Sequence, residues 1–181
     1  HEQDALYTQT LFEFMPEFRH YLQHGLELGR SFIQPRFWGM RSLDYLWYGI
    51  GAYLRKYPDI RYMFGPVSIS QAYSDSAMNL LVNFYAYNFP APANLVKARN
   101  PYPASSSEHR QFERQFAGLQ TYQQKFTQFK SLMAEMGESI PTLYKQYTEL
   151  CDEGGAQFAA FNIDRDFSDC VDGFIIIDTG K

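Results

Sequence analysis

Cysteine is scarce. Only Cys151 and Cys170 occur in 181 residues, too few for a disulfide framework or a four-ligand zinc site. A reducing, cytoplasmic setting is therefore the expectation. Histidine is nearly as rare, and His1, His20, His24 and His109 lack ligand-like partners; His20 and His24 read as a solvated pair, so no metal site is expected. Basic charge is not in excess, with 16 Lys and Arg against 20 Asp and Glu and a net charge of −4. Nucleic-acid binding, which needs a basic surplus against phosphate, is not expected. No apolar run approaches the ~20 residues of a membrane span, and no signal-peptide pattern opens the sequence.

Aromatic residues are abundant. Fourteen Tyr and sixteen Phe bring the aromatic content to 18% within a hydrophobic content of 45%, well above what a disordered chain carries. The length fits one domain over 1–181 with a substantial core. "YTQTLFEF" (Tyr7 to Phe14) reads as a strand, and Pro16 with "EFRHYLQ" as a short helix or loop. "LELGRSFI" (Leu26 to Ile33) reads as a second strand. Ser42 is a plausible N-cap for a helix carrying Leu43, Leu46, Trp47, Ile50 and Leu54, stopped by Tyr57-Pro58. "YMFGPVSI" (Tyr62 to Ile69) is a buried-strand pattern broken by Gly65-Pro66, and Ser74-Asp75 opens another helix.

That alternation predicts an α/β (α+β) fold in which the two strands are parallel neighbours. The segment 90–107, rich in Pro, Ala, Asn and Ser, reads as an internal loop. Phe112 to Met136 steps by three or four and predicts one long helix ending at Gly137. A short helix from Pro141 precedes "AQFAAFNI" and "DGFIIID", a closing antiparallel pair.

Three constellations carry chemistry. Glu27 and Arg30 bracket Gly29, and a bulge there would put both charges on one face of the strand. The pair reads either as an ion pair pinning a sheet edge or as a catalytic base beside a cation. "FGPVSISQAYSD" gathers Ser68, Ser70, Tyr73 and Ser74 at a strand's C-terminal end, where α/β sheets place ligands; turn and capping chemistry explains them equally well. No G-x-S-x-G elbow is present, which leaves a serine-hydrolase triad unsupported. "QPRFWGMRS" leads into a helix N-terminus suited to an anion. Its Arg36 and Arg41, with Arg55, Lys56 and Arg61, form a basic cluster or simply a solvated face.

"ELGRSF", "YLWYGIGAYLRKYPDIRYMFGPVSIS", "IPTLYKQYTEL" and "DFSDCVDGFIIID" together resemble the hemolysin-like lipid N-acyltransferases of ornithine-lipid synthesis, which have a GNAT-like fold. The likeness runs from about Leu6 to Asp178. The E-x-x-R of Glu27 and Arg30 is also similar to that of the acyl-homoserine-lactone synthases. The resemblance implies a mixed sheet with splayed central parallel strands flanked by helices, and a sequence that opens near the third strand without the first strands of the full fold. It implies an acyl-phosphopantetheine substrate, on acyl carrier protein rather than CoA, with no bound cofactor.

The acceptor implied is an amino-acid amine, in a cytoplasmic enzyme with room for peripheral contact at the inner membrane face. By resemblance Glu27, Arg30, Ser70 and Tyr73 are catalytic, and Phe32, Arg36, Gly39, Arg41, Gly65, Pro66, Val67 and Ser68 bind the donor. Arg55, Lys56 and Arg61 would meet the carrier protein. Rival expectations are a non-catalytic module binding carrier protein or lipid, and a synthase of the homoserine-lactone type.

Overall fold

The most apolar stretch of the sequence became its central strand. The computed structural model describes residues 6–37, 39–103 and 105–181, so His1 and Trp38 lie outside the described residues. Strand β6 (Cys170–Asp178) is buried at every position from Cys170 to Ile177, because neighbours flank both edges and cover both faces. It pairs antiparallel with β3 (Tyr62–Ile69) along that strand's whole length, and with β5 (Ala156–Asp164) on the other side. The edge strand β2 (Gly25–Glu27) lies parallel to the first residues of β3, giving the order β2-β3-β6-β5. The mixed α/β sheet flanked by helices is consistent with a GNAT-like fold.

The parallel β2–β3 pair and the closing β5–β6 pair follow the sequence expectation. Between β2 and β3 the chain forms α3 (Ser42–Lys56), ending at Tyr57. Leu43, Trp47, Ile50 and Leu54 of α3 turn inward, but none of its residues is buried. Helix α4 (Asp75–Asn88) starts at Ser74, whose side chain accepts from the Ala77 N–H. It packs with α6 (Tyr122–Glu135) and α7 (Thr142–Glu149) on one face of the sheet, in a core built on Phe84, Tyr85, Phe129 and Tyr144.

The opposite face carries an aromatic cluster of Phe12, Phe14, Phe18, Phe64 and Phe174. It is roofed by β1 (Phe12–Phe14) paired with β4 (Val96–Ala98).

Four expectations are corrected. Tyr7 to Phe14 is not one strand: Thr8–Leu11 forms α1 and only Phe12–Phe14 is extended. The Glu27 carboxylate accepts the Thr8 N–H at 2.7 Å, a cap from a distant strand that overrides local β propensity. The strand Leu26 to Ile33 stops at Glu27, since Arg30 adopts φ 54°. The helix from Phe112 to Met136 is two, α5 (Ser106–Gln115) and α6. Gly118 at φ 83° and a reciprocal capping box of Thr121 with Gln124 force the break. The segment read as a loop, 90–107, contains β4 and the start of α5.

The helical layer is tied to the sheet through one hydroxyl. Tyr144 on α7 is fully buried; it donates to the Val67 carbonyl at 2.8 Å and accepts from the Gly173 N–H at 3.2 Å. Val67 and Gly173 stand opposite each other across β3 and β6, so the hydroxyl fastens the helical layer to the sheet. Tyr144→Phe should destabilise by about 1–3 kcal/mol, the cost of stranding buried partners. In a domain of this size that lowers the melting temperature by roughly 2–4 °C per kcal/mol; an unchanged melt would refute the fastening role.

Candidate functional site

Strands β2 and β3 stay together briefly and then part. The Leu28 N–H donates to the Phe64 carbonyl at 2.8 Å, and the Leu28 carbonyl lies directly over Gly65, where any Cβ would collide with it. Beyond that point β2 has ended, while β3 continues from Pro66 to Ile69 in register with β6. The expected break at Gly65-Pro66 is therefore corrected: β3 is continuous, and it is the neighbour that departs. Gly65 is required by the last close contact of the two strands, not by a slot.

Peptide groups alternate in direction along a strand. Phe64 faces β2 through its carbonyl, so Pro66 and Ser68 face that side too, whereas Gly65 and Val67 face β6. Proline, having no N–H, sits where β6 loses nothing. Val67 is a further correction: its side chain is buried in the helix-side core and cannot line the opening.

Glu27 and Arg30 do not form a pair. No bulge joins them, and no ion pair links them among the described residues. Glu27 is half-buried and holds the α1 N-terminus. Arg30 is exposed and lays its guanidinium 4.5 Å from the Tyr7 ring centre. Phe32, expected within a buried strand, is 79% exposed.

Ser70 and Tyr73 lie beyond the end of β3, roughly 20 Å along the strand from the level of Glu27 at about 3.3 Å per residue. The Ser70 hydroxyl accepts from the Ala72 N–H, and the Tyr73 hydroxyl donates to the Ser139 carbonyl. Ser70 is held in a local turn and Tyr73 by a segment 66 residues away, with burial pushing the Tyr73 phenol up. The structure does not gather them with Glu27.

The donor-loop residues line the approach to α3. Arg36 stacks over Phe37, Gly39 takes φ 74°, and Arg41 forms a 2.7 Å ion pair with Asp44. Arg55 and Lys56 are exposed in the last turn of α3. Arg61 is otherwise engaged. It grips Asp178 through two hydrogen bonds of 3.1 and 3.0 Å, joining the start of β3 to the end of β6. That contact holds the Asp178 carboxyl below its usual range.

A polar cluster that sequence reasoning missed stands on the aromatic face, at the end of β3. Asp172 of β6 is 1% exposed, opposite Ser68 on β3 and Asn162 on β5. Its Oδ1 accepts from the Ser68 hydroxyl at 2.5 Å, and its buried Oδ2 has no hydrogen-bond partner among the described residues. Burial, helped by the charge of Asp164, pushes Asp172 up to about 6 against the Ser68 hydrogen bond.

Asp164 accepts the Asp166 and Phe167 N–H groups, and Asn162 accepts the Asn100 N–H at 2.7 Å. Tyr7 sits above. Burial chiefly raises its phenol, the charges of Asp164 and Asp172 add to that, and Arg30 opposes it. The one sequence signal was a carboxylate set inside an otherwise apolar strand, "CVDGFIII". No group of three or more metal-ligating side chains occurs among the described residues, and no described helix is long and apolar enough to cross a membrane.

Two outcomes test this geometry. Gly65→Ala should destabilise by roughly 1–3 kcal/mol as the added methyl pushes the Leu28 main chain away, and a thermal melt measures it. Asp172 has a folded pKa of about 6, above the ordinary carboxylate value. Its protonated form suits the fold, so its contribution is full below the unfolded pKa and declines as pH rises through about 6. Asp172→Asn should therefore melt at or above the wild-type temperature near pH 7.5, with the gap closing toward pH 4. A variant that melts lower at both would overturn that assignment.

Residues 1–48 match the acetyltransferase (GNAT) domain family. Glycine N(alpha)-acyltransferase of Bacteroides thetaiotaomicron is 27% identical over 153 residues, covering 80% of this chain. Glycine N(alpha)-acyltransferase of Phocaeicola vulgatus is 25% identical over 158 residues, covering 83% of this chain. The aligned stretches take in 45% and 48% of those proteins, so the chain spans about half the length of the curated relatives it matches. No solved structure gives a significant match. The domain match over residues 1–48 and the mixed sheet with its parting parallel strands are consistent with a GNAT-like fold.

Proposed function

We propose that the protein transfers an acyl group from a thioester to the amine of an amino acid. The observation that carries this reading is the parting of β2 and β3 beside a buried carboxylate. The parting leaves the Ser68 N–H directed toward the opening. An acyl-pantetheine arm, itself rich in amides, has a strand edge to follow from Pro66 onward. Gly65 and Val67 face β6 and Pro66 has no N–H, so Ser68 is the donor of this stretch aimed at a developing oxyanion. In this reading Arg30, not paired with Glu27, meets the acceptor carboxylate. Glu27 holds the N-terminus of α1.

The name of the two relatives points to glycine as the acceptor, and the resemblance to aminolipid enzymes extends the class to ornithine. The donor in this reading is acyl carrier protein. Its docking face is the outward side of α3, where exposed Tyr45, Tyr48 and Tyr53 stand with Arg55 and Lys56. The same face suits a cytoplasmic enzyme working against the inner membrane surface.

Mass spectrometry of the full-length protein with acyl carrier protein thioester and glycine or ornithine tests the activity. N-acyl amino acid is expected; thioester consumption without any amide product would refute N-acyl transfer. Arg55→Glu with Lys56→Glu should raise the Michaelis constant for acyl carrier protein several-fold to about tenfold. The effect should fade as ionic strength passes ~0.1 M, with short acyl-pantetheine unaffected. An equal rise for both donors would count against docking on α3.

A further inference from the structure

The Ser68–Asp172 pair has the features of a proton relay. Ser68 is exposed at the open edge of β3, while Asp172, bonded to it at 2.5 Å, is buried. A carboxylate in that position is costly to keep. Removing an ionised group from water is unfavourable unless it is paired, and Oδ2 has no hydrogen-bond partner among the described residues. The residues facing it do not neutralise it. Asp164 and Asn162 flank it on β5 and Cys170 shares its strand. Tyr7 is near enough to feel its charge, Tyr144 approaches from the opposite face through the Gly173 N–H, and among the described residues Arg30 forms no ion pair with it and stacks on the Tyr7 ring. A fold needing only a plug here would be better served by an apolar side chain.

We infer that Ser68 is a catalytic residue of the acyl transfer, and that Asp172 positions it and receives the proton lost by the acceptor's ammonium group. This rests on the N-acyl transfer proposed above. The ammonium approaches the Ser68 oxygen, gives one proton to it, and the serine proton passes to Asp172. The neutral amine attacks the thioester carbonyl; a C–N bond forms and the C–S bond breaks. The second nitrogen proton goes to the departing thiolate, leaving one amide N–H. Asp172 then returns its proton to solvent through Ser68. A carboxyl titrating near pH 6 is ionised at neutral pH and still basic enough to accept a proton. Glu27, with one oxygen committed to the Thr8 N–H, is a positioning residue of α1.

The test compares Ser68→Ala, Asp172→Asn and Glu27→Gln in the full-length protein, using acyl carrier protein thioester and glycine. Ser68→Ala and Asp172→Asn should each lower kcat on the order of 10²-fold, with the double variant no worse than either single one. Wild-type kcat/KM should fall below about pH 6, and Asp172→Asn should lose that limb while its melting temperature is maintained. Glu27→Gln should cost less than about tenfold and keep the limb.

Wild-type turnover with Asp172→Asn near normal, or with the limb lost in Glu27→Gln instead, overturns this inference alone. A trapped acyl-Ser68 adduct also overturns it, since the relay transfers directly to the amine. If the wild type forms no amide with any amino acid, the proposed function falls and this inference with it.

Discussion

The contact of Leu28 with Phe64 and Gly65 governs the geometry of this molecule. One hydrogen bond closes the β2–β3 ladder, and the following carbonyl occupies the space a side chain at Gly65 would need. Having come that close, the chain leaves through Arg30 in a left-handed conformation, and β3 goes on without it. A parallel sheet usually keeps its strands paired to the end. Here the departure exposes one edge of β3 over a few residues, and Pro66 and Ser68 face the gap. The turn of the Ser68 edge toward the gap and the exposure of Phe32 both follow from that parting.

The sheet's two faces divide the labour. The helix-side face is closed with aromatic and aliphatic packing, and Tyr144 pins it to the β3–β6 pair. The other face is aromatic near Phe64 and Phe174 but changes character at Ser68 and Asp172. A buried, half-satisfied carboxylate is a local conflict with the fold's stability, and such conflicts concentrate where a protein does chemistry. Tyr7, between Arg30 and the carboxylates of Asp164 and Asp172, links that end of the sheet to the loop after β2.

Much of the fold was legible because periodicity and caps are local signals. The apolar run of β6, the Ser74 cap of α4 and the parallel placement of β2 beside β3 all follow from the order of residues. The break between α5 and α6 was legible too, in Gly118 and the Thr121-x-x-Gln124 capping box, although the stepping aromatics masked it. What was not legible was the helix at Thr8. Its N–H is held by Glu27, which lies on another element, and no local rule foresees a cap delivered from a distant strand.

The same distinction holds for the site. The sequence by itself determined that Glu27, Arg30, Gly65, Pro66 and Ser68 stand on or beside two neighbouring strands, since strand signals and a crossover helix place them there. It also set one carboxylate, Asp172, within the most apolar strand. Only the tertiary structure decided which groups meet. It separated Glu27 from Arg30 by turning the chain between them, sent Val67 into the core, left Ser70 in a local turn and tied Tyr73 to Ser139. It brought Ser68 within 2.5 Å of Asp172, because the antiparallel register of β3 with β6 sets those two side chains opposite each other. Register is fixed by pairing between segments far apart in sequence, and such pairing leaves no mark in either segment alone.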